Sequence, residues 1–379
     1  MNLPQHHHHS STMSKRQVTR NNHVEKWTMK IALCLSLVLN VYLFVGAPQM
    51  RRLLNTLSEQ ESKEMEMLRV MNAPPMVNNQ KDHLKIIDCI LYNGEEVLLT
   101  RLNLLYDVVD HFYITESPFT FSGNPKPLYG QEMLSNNKLA QYQDKITFLV
   151  YTPDTLATDP HTIWKRQWEQ RRFVLEKVQN DLKQRQELDK EFLVINTDCD
   201  ELPDPNVVRQ FQPGGMYYHK VMAEPVSYLD MKMFYYNLNW KLRMTWTAGH
   251  VLPGHSLLDG TTDLQTYRDA KRRKDSDLQH IPNAGWHLSY FLNVTDIKKK
   301  VESISAQEFN KPEFKEPEHI IRSIQEGKDL FRRKIGKQQC DLFPQEEIDQ
   351  LPKAVQEYHV LTMEKQGNIK PVISNKKSK

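Results

Sequence analysis

The chain has 379 residues, 26% of them charged, and a formal net charge of +3. So small a positive excess argues against nucleic acid as a partner, and 39% hydrophobic residues exclude a fibrous or disordered chain. Its four cysteines lack the spacing of a zinc site.

Residues 1–28 carry Lys15, Arg16, Arg20 and Lys26 against the single acid Glu25. Met29 to Ala47, MKIALCLSLVLNVYLFVGA, is free of charge after Lys30 and just long enough to span a bilayer. The positive-inside rule then keeps residues 1–28 cytosolic and puts everything after residue 47 on the lumenal or external side. A cleaved signal peptide could end at the small residues Gly46 and Ala47. The leader is long and has no clear A-x-A site, so an uncleaved signal anchor at 29–47 is expected. His6 to His9 read as a metal-binding tract or part of an expression tag and carry no functional argument. Residues 48–82, rich in Glu, Gln, Lys, Met and Asn and broken at Pro74-Pro75, read as a stem. Leu53, Leu54, Leu57, Met65 and Leu68 recur near helical spacing there, which leaves open a short self-associating helix as well as a plain spacer.

Residues 83–361 are long enough for one α/β domain with a single core, and 362–379 read as a basic, mobile tail. Leu84 to Tyr92 is predicted to be a buried strand, and Asn93-Gly94 a turn into a helix from Glu95 to about Val108. A second strand is expected at His111 to Thr115 and a third at Lys145 to Tyr151. Between them lies the Pro- and Gly-containing segment Ser117 to Tyr129. A long polar helix follows from His161 to Asp189, then a strand from Phe192 to Asn196. Strands alternating with helices predict a mainly parallel, Rossmann-like sheet. Met216 to Ala223 and Val226 to Asn237, rich in Tyr and Met, read as strands of an added antiparallel section. Outside the span, Cys89, Cys199 and Cys340 allow at most one disulfide, and Asn293-Val294-Thr295 is an N-glycosylation sequon.

The most informative run is Asp198-Cys199-Asp200-Glu201, two residues beyond Phe192-Leu193-Val194-Ile195. In an extended segment residues two apart share a side, so Asp198 and Asp200 would converge on one hard divalent cation while Cys199 points away. A metal held there could grip a diphosphate, beyond the carboxyl end of a strand where open α/β sheets bind ligands. A solvated acidic turn closed by Leu202-Pro203-Asp204-Pro205 is the bland alternative.

Ile87-Asp88-Cys89-Ile90, Asn93-Gly94-Glu95, Arg101-Leu102-Asn103, Tyr106 to Asp110, Glu116-Ser117, Thr120 and Gly123 to Leu128 together resemble the start of glycosyltransferase family 17. The likeness continues through Gln170-Arg171, Asp198 to Pro203, Gly285-Trp286-His287-Leu288-Ser289-Tyr290 and Ser303 to Phe309. This resemblance implies a GT-A-like fold and a single-pass type II Golgi membrane protein. It further implies transfer of N-acetylglucosamine from UDP-GlcNAc to a mannose of an N-glycan or glycoprotein acceptor, with inversion, assisted by Mn2+ or Mg2+. The linkage it suggests is the bisecting β1,4 bond. On that reading Asp200 meets the metal, and Asp198 meets the metal or the ribose. Glu116 lies where a uridine-ribose would sit, with a capping or turn role as the alternative, and Arg171 meets the diphosphate or braces Asp200. Candidates for the general base are Glu224, Asp259, Asp263, Asp269, Glu308 and His287. Trp286 and Tyr290 are candidates for sugar stacking, with core packing as the alternative. The run Arg268, Lys271, Arg272, Arg273, Lys274 is either a loop closing over the donor or a solvated charge cluster. Two other function classes remain open. One is a haloacid-dehalogenase-like phosphotransferase with the first Asp as nucleophile, although Leu202 stands where that pattern wants Thr or Val. The other is a membrane-tethered glycan-binding protein without activity.

Overall fold

The computed structural model describes residues 83–187, 191–258, 268, 279–333 and 340–372. The expected anchor and stem lie outside the described residues, and among those described no helix is long and apolar enough to cross a membrane.

Strand β1 (Lys85–Leu91) leads into helix α1 (Val97–Leu105), which buries Val97, Leu98, Leu102 and Leu105. Then come β2 (His111–Glu116), β3 (Ile146–Val150), the 25-residue helix α2 (Pro160–Gln184) and β4 (Phe192–Asp198). Asp159 caps α2 by accepting from the Thr162 amide, and Pro160 supplies the fixed φ of a first helical turn. These four strands pair in parallel in the order β4-β1-β2-β3, as the alternation of strand and helix predicts. Val174, Leu175, Val178 and Leu182 of α2 pack on Ile87, Cys89, Tyr113 and Val194 to form one core cluster.

The second half departs from a mainly parallel sheet. Beyond β4 lie β5 (Glu201–Pro203), β6 (Ser227–Tyr235), β7 (Trp240–Trp246), β8 (His250–Pro253) and β9 (His280–Ser289). β8 pairs antiparallel to β4, β6 pairs antiparallel to β7 and β8, and β9 runs parallel to β6 but antiparallel to β5. Among the described residues the result is one mixed ten-stranded sheet. The segment expected as a strand from Met216 is instead a turn and the short helix Tyr218–Ala223. Its Tyr217 amide donates to the Gln210 carbonyl, which closes a loop and leaves no ladder to extend.

Helices α3 (Val294–Ser303) and α4 (Pro317–Glu326) cover the antiparallel section. Ile297, Val301, Ile320 and Ile324 pack there on Tyr235, Tyr236 and Trp240. The sequon residue Asn293 caps α3, with its Oδ1 accepting from the Asp296 amide and its Nδ2 donating to the Asp296 carboxylate. Strand β10 (Cys340–Leu342) adds to the edge beside β7, and α5 (Lys353–Lys365) follows it. That helix runs through the boundary expected at residue 362. Thr362 and Gln366 are buried, and Gln366 bonds to Asn237 and to the carbonyl of Tyr236, so these positions belong to the domain. Cys89, Cys199 and Cys340 are free thiols.

Candidate functional site

β4 ends at Asp198, which lies level with Leu91 at the end of β1. The chain then turns through Cys199 and Asp200 before pairing as β5. A buried brace fixes this turn. Arg101 of α1 and Asp88 of β1 are both fully buried and joined by two bonds of 2.8 and 2.6 Å. The same guanidinium donates to the carbonyls of Asp198 at 2.9 Å and Glu201 at 2.7 Å, and to the Thr197 hydroxyl. It thus holds both ends of the acidic turn from beneath.

Because the segment turns rather than staying extended, Asp198 and Asp200 meet different partners. Asp198 accepts from Arg171 of α2 through Oδ1 and from Arg268 through Oδ2 at 2.7 Å. Asp200 accepts from Lys300 of α3 through Oδ2 at 2.7 Å, and its Oδ1 lies 3.6 Å from His287 Nε2. Glu201 accepts from Arg268 at 3.0 and 3.2 Å, from Trp246 Nε1 at 2.7 Å and from the Asp198 amide at 2.9 Å. Burial opposes the charge on all three carboxylates and is outweighed. Arg171 and Arg268 lower the Asp198 pKa, Lys300 and His287 hold Asp200 well below the usual carboxylate range, and Arg268 with His287 does the same for Glu201. Three cations therefore balance three acids.

His287 reaches this cluster through register. β9 pairs Glu201 with His287 and Pro203 with Gly285, and the Leu288 amide donates to the Asp200 carbonyl at 2.8 Å. Gly285 stands at φ +149°, and a Cβ there would meet the Leu202 carbonyl oxygen at 2.0 Å, so only glycine lets the two strands close. The imidazole lies against the Trp246 ring at 4.5 Å between centroids. Its Nδ1 is buried with no partner, as is Nη1 of Arg171.

These groups line a cleft of 290 Å3 that also holds Trp164, Trp246 and Tyr290. A neighbouring cleft of 470 Å3 lies between the segment after β2 and α3. Both volumes are of the order of small-molecule sites, roughly 300–1,000 Å3. Asn93, Glu95 and Lys300 line both.

The structure brings together Asp198, Asp200, Arg171 and His287, and it sets Glu116 and Glu308 apart. Glu116 is buried, with its carboxylate bonded to Lys126 and to the amides of Tyr129 and Gly130. It braces the segment after β2 and lines neither cleft. Glu308 is exposed on a single turn after α3 and also lines neither cleft. Trp286 and Tyr290 are both buried. Trp286 lies outside the two clefts, whereas Tyr290 lines the smaller. Glu224 lines neither cleft, and Asp259, Asp263 and Asp269 lie outside the described residues. In the basic run, Lys271 to Lys274 are likewise outside the described residues, but Arg268 is an integral member of the cluster.

Sequence reasoning did not single out Lys300, Glu95, Trp246 or the role of Arg101. Glu95 carries the one available signal, standing after the Asn93-Gly94 turn at the carboxyl end of a parallel strand. Its Oε2 accepts from the Asn93 amide, and among the described residues no cation lies within ion-pair distance. Burial raises its pKa, opposed by Lys300.

Among the described residues no group of three or more His, Cys, Asp or Glu could hold a metal ion. Asp198 does not fit as a ligand, because each of its oxygens already receives a guanidinium. Asp200 Oδ1 and His287 Nε2 do fit, as a pair that donor oxygens would complete.

The sequence profile of glycosyltransferase family 17 matches residues 56–342. The chain belongs to that family. A stretch of 66 residues is 38% identical to the human protein named β-1,4-mannosyl-glycoprotein 4-β-N-acetylglucosaminyltransferase, covering 17% of this chain and 12% of that relative. The rat protein of the same name matches to the same extent. The match to these curated relatives thus spans about an eighth of their length.

Proposed function

We propose that this chain transfers N-acetylglucosamine from UDP-GlcNAc to a mannose of an N-glycan, with inversion and in the β1,4 linkage named for its relatives. The observation that carries the reading is the braced acidic turn at the end of β4, facing a cleft that combines balanced charges, two unpartnered buried nitrogens and several aromatic rings. Family membership favours a transferase over a phosphotransferase. So does Asp198, whose two oxygens are held by guanidinium groups rather than free to attack a phosphorus.

Since Asp198, Asp200 and Glu201 are already matched by Arg171, Arg268 and Lys300, an entering diphosphate brings unbalanced negative charge. Mn2+ or Mg2+ held by Asp200 and His287 would supply the balance and stabilise the leaving nucleotide. Arg171 offers its unpartnered Nη1 to the same anion. Trp246, whose ring lies tilted at 48° against His287, holds the imidazole in place. Proton acceptance from the attacking hydroxyl falls to Glu95, which lines both clefts and forms no direct ion pair among the described residues, in place of Glu308. We place the domain on the lumenal side of the Golgi membrane, tethered by residues 29–47.

The test incubates the purified full-length protein with UDP-GlcNAc, Mn2+ and a panel of N-glycan acceptors, with mass spectrometry of the products. A mass gain of one N-acetylhexosamine and UDP release are expected. Glycan binding without UDP release would support the inactive tethered binder, and phosphate release from simple phosphoesters would support the phosphotransferase.

A further inference from the structure

The two clefts meet at Lys300. Its Nζ is 2.7 Å from Asp200 Oδ2 and 5.4 Å from the centroid of the Tyr290 ring, and its side chain keeps 20% of its exposure. The larger cleft presents Thr120, Asn124 and the Tyr129 ring, whereas the smaller is walled by Trp164, Trp246 and Tyr290. Hydrogen-bonding side chains around one ring suit a nucleoside, and a concentration of aromatic faces suits the apolar face of a pyranose. The wall between them is built in. Ser122 donates through its hydroxyl to the Glu302 carbonyl at 2.8 Å and through its amide to the Ser303 carbonyl at 3.3 Å, tying the segment after β2 to the helix that carries Lys300.

Resting on the transferase reading, we propose that the nucleotide-sugar lies across both clefts. Its nucleoside occupies the larger cleft, its sugar the smaller, and its diphosphate sits on Lys300, which exchanges Asp200 for phosphate oxygen as the donor enters. Lysine suits this handover because its ammonium is a compact charge with three donors on a flexible four-carbon stem, able to give up one acceptor while gaining another. Of the residues shared by the two clefts it is the cation. Arg171 and Arg268, held by Asp198 and Glu201, line only the smaller cleft and stay in place.

The experiment measures binding of uridine, UDP and UDP-GlcNAc to the full-length protein by calorimetry in Mn2+-containing buffer, with unfolding temperature as a check on folding. Lys300→Met should weaken UDP and UDP-GlcNAc roughly ten- to hundredfold, the range of a charge-assisted hydrogen bond, and leave uridine within about twofold. Lys300→Arg should restore most of the loss. Lys300→Gln, which keeps a donor for Asp200, carries the same test where the methionine variant does not fold. Equal weakening of uridine and UDP, as from a merely structural lysine, would overturn the proposal, as would unchanged UDP affinity. Trp164→Ala should weaken UDP-GlcNAc more than UDP, and the reverse order would overturn the assignment of the clefts. Wild-type protein that binds no nucleotide would overturn the transferase reading together with this one. Wild-type transfer with an indifferent Lys300 would remove this proposal alone.

Discussion

Arg101→Met is the sharpest probe of how the fold makes the site. The side chain and its partner Asp88 are both fully buried, and Asp88 lies mid-strand between Phe112 of β2 and Ile195 of β4, where no water can replace the guanidinium. Removing one partner of such a pair costs about 3–5 kcal/mol, because the remaining charge is stranded. The carbonyls of Asp198 and Glu201 also lose their donor, at roughly 1–3 kcal/mol for each left unsatisfied. Even the lower figures sum to about 5 kcal/mol, comparable with the whole stability of a marginal domain. Urea unfolding followed by circular dichroism should therefore show Arg101→Met largely unfolded or shifted to much lower urea. Arg101→Met combined with Asp88→Leu removes the stranded charge and should recover about 2 kcal/mol or more, while the carbonyls remain unpaired. A single variant within about 1 kcal/mol of wild type, or a double variant less stable than the single, would refute this account of the brace.

Asp200→Asn should abolish transfer while leaving the circular dichroism spectrum unchanged, since an amide still accepts from Lys300; normal turnover would remove its role. His287→Ala separates two readings: folded but inactive protein supports a place in the site, and loss of cooperative unfolding supports a structural one. Glu308→Ala, at an exposed position away from both clefts, should leave kcat within about twofold, as surface changes usually do. Gly285→Ala should cost roughly 2 kcal/mol or more and lower activity with it, because the added Cβ drives β9 off the Leu202 carbonyl and His287 moves with the strand. Burial lowers the His250 pKa to about 3, and His359 is lowered to about 4 by the same cause. The unfolded chain, with histidine near 6.5, binds the proton first, so stability is full above about pH 6.5 and falls as pH drops. Urea titrations should show about 2 kcal/mol lost at pH 5 through His250 alone, a loss absent in a folded His250→Gln variant.

The first half of the fold was legible because its elements announce their period. The Val97, Leu98, Leu102, Leu105 stripe repeats at helical spacing, and Phe192 to Ile195 is an unbroken apolar run bounded by polar residues, as a strand buried on both faces must be. The second half hides its period. β7 alternates only loosely between buried and exposed, β9 opens on the exposed His280, Pro282 and Asn283, and Tyr217 and Tyr218 have strand-forming side chains but sit in a turn and a short helix fixed by contacts to Gln210.

The site divides along the same line, for a reason that concerns range. Asp198 and Asp200 were readable because both belong to one short motif. Their partners come from elsewhere: Arg171 is 27 residues from Asp198, Arg268 is 70, and Lys300 is 100 from Asp200. None of these lies on a shared helical face or strand with the acid it meets. The packing of α2 on the parallel strands brings Arg171 to Asp198, and the packing of α3 over the sheet brings Lys300 to Asp200. The sequence offered Arg171 for the diphosphate or Asp200 and Arg268 for a loop over the donor, whereas both arginines meet Asp198. Counting acids and cations together gives Asp198 to Arg171 and Arg268 and leaves Asp200 between Lys300 and His287. It also makes Lys300 the group whose allegiance must change when a charged donor arrives.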